Sequence, residues 1–433
     1  MTFNGWKEVV LEEVSYYGDE KIPSAEVTLD NYISTENMLP NKSGVGMASG
    51  LPTTKSVRRY KKGDILLSNI RPYFKKIWFA TKNGGCSNDV LVIKNKDEKE
   101  LDKKYLYYTL LQDNFFDYVT ATSKGTKMPR GDKSAIMNYG IMLSPLNEQK
   151  AIANILSTLD EKIETNNQIN EKLEEMAQAL FKHWFVDFEF PNENGEPYKS
   201  SGGEMVESEL GMIPKGWKIV KLGDVIDFQN GYAFKSKDLL DVESDSTFRV
   251  FKMGNIKKGG GINHSGTKSY IERDKCQNLS NYIIKKGDLL MCMTDMKSNV
   301  ALLGHTALMD RDNEYILNQR VGLIRTKDSK VINFPYLYIL TNSEDFINNL
   351  RSRANSGVQV NLSTKEIKDS LICLPDQKVH SLFNEITERM FEKSFQVEDE
   401  NQKLTLIRDN LLPKLMSGEI RVPLDDEVLS EKN

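Results

Sequence analysis

Between positions 148 and 186 the apolar residues recur alternately every fourth and third position. The series runs Ile152, Leu156, Leu159, Ile163, Asn166, Asn170, Leu173, Ala177, Leu180, Trp184. This heptad spacing holds for about five repeats with no Pro or Gly inside, and it predicts one long helix built to pair with another. At about 1.5 Å per residue the helix is on the order of 55 Å long. An ordinary globular helix has only about 11–12 residues. A second seam of the same kind runs Val379, Phe383, Ile386, Met390, Lys393, Val397, Glu400, Leu404, Ile407, Leu411, each position 227 residues after its counterpart.

The patterns around the seams also repeat. Before the first seam come short β-like runs, GDILLSNI (63–70), KIWFAT (76–81) and DVLVIK (89–94). They are rich in branched and aromatic residues and bounded by Gly, Asn or Lys. A helical period follows on Leu101, Tyr105, Tyr108, Leu111 and Phe115, then a Gly- and Lys-bearing loop at 123–132, then the strand-like IMNYGIMLSPL. After Trp184 the stretch FEFPNENGEPYKSSGG (188–203) reads as an exposed linker. The order then starts again. GWKEVVLEEV (5–14) returns as GWKIVKLGDV (216–225), KKGDILL (61–67) as KKGDLLM (285–291), and SNDVLVIK (87–94) loosely as NQRVGLIR (318–325). A second helical stretch (334–354), a second polar loop (354–363) and a strand-like SLICLPDQK lead to the second seam. The chain is a tandem duplication with a period too long for a solenoid.

Each predicted helix has one apolar seam to bury, and each is the obvious partner of the other. Running them antiparallel gives an internal pseudo-two-fold, with a globular domain expected at either end of the rod. The polar seam residues Asn166, Asn170, Lys393 and Glu400 either fix register at some cost in stability or lie on the wet side of a two-helix rod. A pseudo-symmetric pair of modules suits duplex DNA, where two modules meet two half-sites.

The bulk numbers narrow the class. The chain has 433 residues, 39% hydrophobic and 28% charged, enough for two or three domains. No run approaches the roughly 18 apolar residues of a membrane span, and the start MTFNGWKEVVLEE has no signal-peptide pattern. Cys86, Cys276, Cys292 and Cys373 are scattered and there are four His, which points to a cytoplasmic protein with no structural metal. The net charge of −4 disfavours nucleic-acid binding by the chain as a whole, but leaves local basic faces open.

No catalytic constellation is found. There is no phosphate-binding GxxxxGK[ST] loop, no Cys/His nucleophile pattern and no DPPY- or NPPF-type tetrapeptide. Gly259-Gly260-Gly261 reads as a turn, and Glu171, Glu174 and Glu175 as a solvated helix face. Basic and aromatic residues do cluster, at 58–62, at Arg71, Tyr73, Lys75 and Lys76, and at Lys124, Lys127, Arg130 and Lys133. In the second repeat they are Lys257, Lys258, Lys285, Lys286, Lys297, Arg351 and Arg353. Lys and Arg hold phosphates, while Arg, Asn and Gln read base edges. The loops 123–133 and 351–361 occupy equivalent places in the two repeats and mix Gly, basic and amide residues, so they are the leading nucleic-acid candidates.

Four stretches then carry a family resemblance: SPLNEQKAIANILSTLDEKI, LFKHWFVDF, ESELGMIPKGW and the closing RDNLLPKLMSGEI (408–420). Together, in this order and over nearly the whole chain, they resemble the specificity (S) subunits of type I restriction-modification systems. The second repeat departs at DQKVHSLFNEITERM, where His380 replaces an apolar residue. The resemblance implies an α+β chain, with two tandem α/β target recognition domains separated by a pair of long antiparallel coiled-coil helices. The expected layout is domain 1 at 1–147, a long helix at 148–186, a linker at 187–215, domain 2 at 216–375, a second helix at 376–420 and a tail at 421–433.

The implied function is non-catalytic recognition of a bipartite double-stranded DNA target, with the helices setting the spacer and docking two modification subunits. Those partners would carry S-adenosylmethionine and methylate adenine, and motor-nuclease subunits would add cleavage; no cofactor belongs to this chain. The residues expected at DNA are Ser68, Asn69, Arg71, Lys75, Lys124, Thr126, Lys127, Arg130, Lys297, Arg351, Arg353, Ser356, Gln359 and Asn361. The residues expected between the helices are Ile152, Leu156, Leu159, Ile163, Leu173, Leu180, Val379, Phe383, Ile386, Met390, Leu404, Ile407 and Leu411. The competing readings are a methyltransferase specificity subunit without restriction, a protein-binding scaffold on a rod, and a self-contained enzyme.

Overall fold

The computed structural model describes residues 5–264, 266–296, 300–356 and 359–423. The chain forms two compact units. One is Met1–Asn166 with Asp399–Asn433, the other Asn167–Glu398.

In the first unit an antiparallel sheet has the order Ser15–Tyr17, Val90–Asn95, Ile65–Ser68, Ile77–Phe79. Its central strands are covered on both faces, which is why their sequences are continuous apolar runs. Ile65, Leu67, Leu91 and Ile93 pack on one side with Tyr105, Leu106, Phe115 and Phe116. Leu66, Val90 and Val92 pack on the other with Tyr60 and Trp78. A second sheet, Lys21–Pro23, Ser56–Tyr60, Gly84–Cys86, Tyr32–Ile33, has its last pair parallel.

The second unit repeats the first sheet as Ile226–Asn230, Val321–Thr326, Leu289–Cys292, Thr306–Leu308. The opening strands repeat as well. Lys7–Val10 pairs antiparallel with Gly140–Leu143, and Lys218–Lys221 with Leu371–Leu374.

The recurring KKGD has a structural cause. Gly63 and Gly287 take φ of 90° and 87°, which a side chain would resist. The Asp64 carboxylate accepts the Lys61 N–H at 2.7 Å, and Asp288 accepts that of Lys285 at 2.8 Å. Each aspartate then meets a base on the neighbouring strand: Lys94 at 3.4 Å in the first unit, and Arg325 at 2.7 and 2.6 Å in the second. The duplicated motif is therefore a glycine turn locked by an aspartate that pairs with a base on the neighbouring strand, with its lysines exposed.

Three expected elements divide differently. The helical period from Leu101 is two helices, Lys103–Leu111 and Asp113–Ala121, because Gln112 is extended. The 334–354 stretch likewise breaks at Ser343 into Phe334–Asn342 and Glu344–Ser352. The strand-like segment after the 123–132 loop begins as a helix, Lys133–Met137, capped by the Asp132 carboxylate, and becomes a strand only at Gly140–Leu143. Competing local hydrogen bonds from Asp decide that end.

The long helices are Leu146–Phe181, prolonged by a π turn at Lys182–Val186, and Gln377–Met416. They pair antiparallel. In the first unit Leu156 shares a core with Leu412, Leu415 and Met416, and Arg408 donates to Asp160 at 2.8 Å. Asn166 is fully buried and donates to Glu400 at 2.8 Å, while Lys162 donates to Asn166 Oδ1 at 3.0 Å. In the second unit Phe181, Trp184 and Phe185 pack on Phe383 with ring centroids 6.1, 6.0 and 4.8 Å apart.

Of the expected interface residues, Ile152, Leu156, Val379 and Phe383 are buried, and Leu159, Ile163, Leu173, Leu180, Ile386, Met390, Leu404 and Leu411 half-buried. Ile407, expected between the helices, is 47% exposed, while Lys393 and Glu400 lie on the wet side of the rod. Continuing from Phe383, the off-seam residues Thr387, Phe391 and Phe395 are also buried. Their spacing of four turns the buried face toward Phe334 and Tyr338, whose rings meet Phe391 at 6.1 and 5.5 Å. A helix serving a globular neighbour as well as a partner helix leaves the strict heptad. Asn401 and Leu412, eleven positions apart, continue the buried face past Ile407. Among the described residues no helix is long and apolar enough to cross a membrane.

Candidate nucleic-acid interface

Two expected loops of the first unit are joined by backbone hydrogen bonds. The first follows strand Ile65–Ser68. The second is the 124–130 hairpin, closed by reciprocal Lys124 and Arg130 bonds of 2.8 and 2.9 Å. Arg71 N–H donates to Pro129 O at 2.8 Å, and Gly131 N–H to Asn69 O at 3.0 Å. Asn69 N–H donates to Asp89 O at 2.8 Å, and the Asp89 carboxylate holds Arg130 at 3.0 Å. Arg71 has a left-handed φ of 50°, so its exposed side chain leaves the strand at a fixed angle.

The second unit builds the same junction from different residues. Met293 N–H donates to Arg320 O at 3.0 Å, and Leu362 N–H to Met293 O at 2.9 Å. The hairpin Asn355–Ser356 with Gln359–Asn361 pairs with Thr294–Met296. Met293 thus stands where Asn69 does, and Arg320 where Asp89 does.

The side chains divide by what holds them. Thr126, Lys127 and Arg71 are exposed, as is Met128 beside them. Lys124 pairs with Asp132 at 2.5 Å, and that contact with two backbone donors holds Asp132 below the usual carboxylate range. Lys75 pairs with Asp113 at 2.6 Å, and Lys42 joins it at 2.9 Å. Burial raises the Asp113 pKa, but the two lysines outweigh it and the carboxyl ends lower than usual. Burial, and then the Arg71 charge, push Lys76 below an ordinary lysine.

Ser68 is buried and donates to Ile70 O at 3.2 Å. Asn69 is 7% exposed, and its Oδ1 has no hydrogen-bond partner among the described residues. In the second unit Arg351 donates to Leu303 O and Ala301 O at 2.9 and 3.2 Å. Arg353 donates to Glu366 O at 3.0 Å and Ser370 Oγ at 2.6 Å. Both guanidiniums are spent inside the unit. Asn361 accepts from Thr294 at 2.8 Å, and Gln359 is half-buried on the hairpin. Lys297 and the Ser356 side chain lie outside the described residues.

The sequence reading missed Lys42, Asp89 and Thr294. Lys42 enters because Asn41 and Lys42 N–H groups bond Phe74 O and Lys75 O, each at 2.8 Å. The only signal in the chain was Asp89 inside the repeated SNDVLVIK.

Two copies of one mixed α/β module, each joining a strand end to a polar hairpin and each holding a stretch of both long helices, define a tandem-repeat protein with a duplicated strand-end junction. The family profile described as "Type I restriction modification DNA specificity domain" matches residues 4–175 and again 214–392. The chain belongs to this family and carries its domain twice. It is 27% identical over 375 residues to the type I restriction enzyme MjaIX specificity subunit of Methanocaldococcus jannaschii, covering 85% of this chain and 80% of that one. It is 25% identical over 472 residues to the HindI specificity subunit of Haemophilus influenzae, covering 96% and 99%. A crystal structure of a type I restriction-modification S subunit from M. genitalium shares the fold, with a TM-score of 0.54, 19% identity and coverage of 95% and 96%.

Proposed function

We propose that this chain recognises DNA for a type I restriction-modification complex and performs no chemistry itself. Each unit reads one half of a split duplex target through its joined strand-end loop and hairpin. The observation that carries this reading is the duplicated junction: the same backbone bonds in both units, with different side chains mounted on them. A frame kept constant under changing residues is what two readers of different half-sites need. In the first unit Arg71, Thr126 and Lys127 are the exposed readers and phosphate contacts, Lys75, Lys124 and Arg130 the cations held beside them, and Ser68 and Asn69 the base of the loop. In the second unit Gln359 and Asn361 take the reading role, with Lys297 and Ser356, while Arg351 and Arg353 hold the hairpin's surroundings.

The long helices set the spacer between the half-sites and offer the surface on which two modification subunits dock. Those subunits bring S-adenosylmethionine and methylate adenine, and motor-nuclease subunits add cleavage.

The test is a footprint of the chain assembled with its modification subunits. The expected result is two protected half-sites separated by an unprotected spacer, with affinity falling steeply as salt rises. A single continuous site, or no DNA binding with those subunits present, overturns the reading. Methyl transfer by the purified chain alone overturns its non-catalytic part.

A further inference from the structure

We propose that His264, Asp310 and Glu398 form a binding site for a divalent transition-metal ion of the zinc class, fixing the second long helix to the globular part of its unit. The three donor atoms lie within 4.8 Å of one another. His264 Nε2 is 3.3 Å from Asp310 Oδ2 and 3.5 Å from Glu398 Oε1. Ligands on a tetrahedral ion with bonds of about 2.0–2.2 Å sit about 3.3 Å apart. Both separations from His264 Nε2 fit donors around a shared ion. As hydrogen bonds they are at the long end, with one N–H shared between two carboxylates.

The site is assembled by features with no other assigned role. Gly259, Gly260 and Gly261 all take positive φ and fold their loop back, with Lys257 N–H bonded to Gly261 O at 2.9 Å. This returns the chain to place His264. Asp310 follows strand Thr306–Leu308, and its side chain is only 6% exposed. Its second oxygen has no hydrogen bond among the described residues, and Arg311 Nε approaches it no closer than 3.5 Å. A carboxylate this buried is costly unless something cationic takes it up. Imidazole with two carboxylates is a donor set suited to zinc-like ions, with a position left for water.

The duplication supplies an internal control. Gly287 N–H bonds Met309 O as Gly63 N–H bonds Ala80 O, so Asp310 corresponds to Thr81 of the first unit. The first unit lacks this carboxylate, and the shared recognition architecture therefore does not explain the cluster.

The experiment uses the full chain without an affinity tag, freed of metal by dialysis against chelator. Cobalt(II) is titrated and its visible d–d bands recorded, with zinc as competitor, and Tm is measured with zinc and with magnesium. The expected result is one cobalt ion per chain in a low-coordinate spectrum, displaced by zinc, and a Tm raised by zinc but not by magnesium. His264→Gln and Glu398→Gln each weaken uptake by more than about tenfold. Glu398 is partly exposed, so its variant reports even where the histidine variant misfolds. No uptake by the wild-type chain, or equal uptake by the wild type and Glu398→Gln, overturns the site.

Discussion

Arg71 and Arg351 look alike as sequence: each is a basic residue near Gly and amide residues in a predicted loop. The fold separates them. Arg71 reaches solvent from a left-handed residue, whereas Arg351 spends its donors on two carbonyls of its own unit. Arg71→Ala should leave Tm unchanged and weaken binding to one half-site by about 1–3 kcal/mol if it reads a base, measured by titration in the assembled complex. Arg351→Ala should lower stability by about 1–3 kcal/mol through orphaned carbonyls, measured by denaturant unfolding. His380 is a third residue whose role depends on its surroundings. It is 1% exposed, against the Tyr336 ring and within 3.0 Å of the Asn384 amide, and burial lowers its pKa to about 4. Between pH 4 and about 6.5 the unfolded chain binds the proton that the folded chain excludes, so stability is complete above that window and falls through it. The loss is about 3 kcal/mol by linkage. A Tm–pH profile checks it, and His380→Gln should flatten the acid limb.

At the scale of elements, much was legible. Both long helices, the repeated central strands and the repeated openings follow from apolar period and glycine punctuation, which report burial directly. Ile407 departs from the expected interface because a heptad describes a helix with one neighbour, and this helix has two; Lys393 takes the solvent-facing one of its two readings. The helix breaks at Gln112 and Ser343 carry no Pro or Gly; at Ser343 the local mark is its N-cap, followed by Glu344 and Asp345 in the first turn. The joined loops were legible as candidates but not as partners, since their bonds are backbone to backbone and leave no mark on side-chain type. One tertiary lock also escaped notice. Glu148, 2% exposed at the start of the first long helix, accepts Trp6 Nε1–H at 2.9 Å and Arg421 at 2.6 and 3.1 Å. Arg421→Ala should cost on the order of 1–2 kcal/mol, since Arg421 is half-exposed but leaves a buried charge behind. Thermal unfolding checks this, and adding Glu148→Gln should recover part of the loss.

At the scale of the molecule, the proposed spacer role makes helix length the functional quantity. Asn166 meets Glu400 across the helix pair, so a neutral insertion has to enter both helices at that level. Four residues added after Asn166 and four before Glu400 should lengthen the spacer of the methylated target while both half-sequences stay the same. Mapping methylated adenines in cells carrying the altered chain reads this out, and an unchanged spacer would remove the helices as the ruler.

The first unit draws on both arms of the chain, up to Asn166 and from Asp399, whereas the second unit is one uninterrupted segment, Asn167–Glu398. On the ribosome the second unit has all its residues while the first still lacks the Leu412, Leu415 and Met416 that cover Leu156. The module encoded first is thus completed last. Its apolar helix face waits through the synthesis of more than half the protein, and that interval is where a chaperone would be needed.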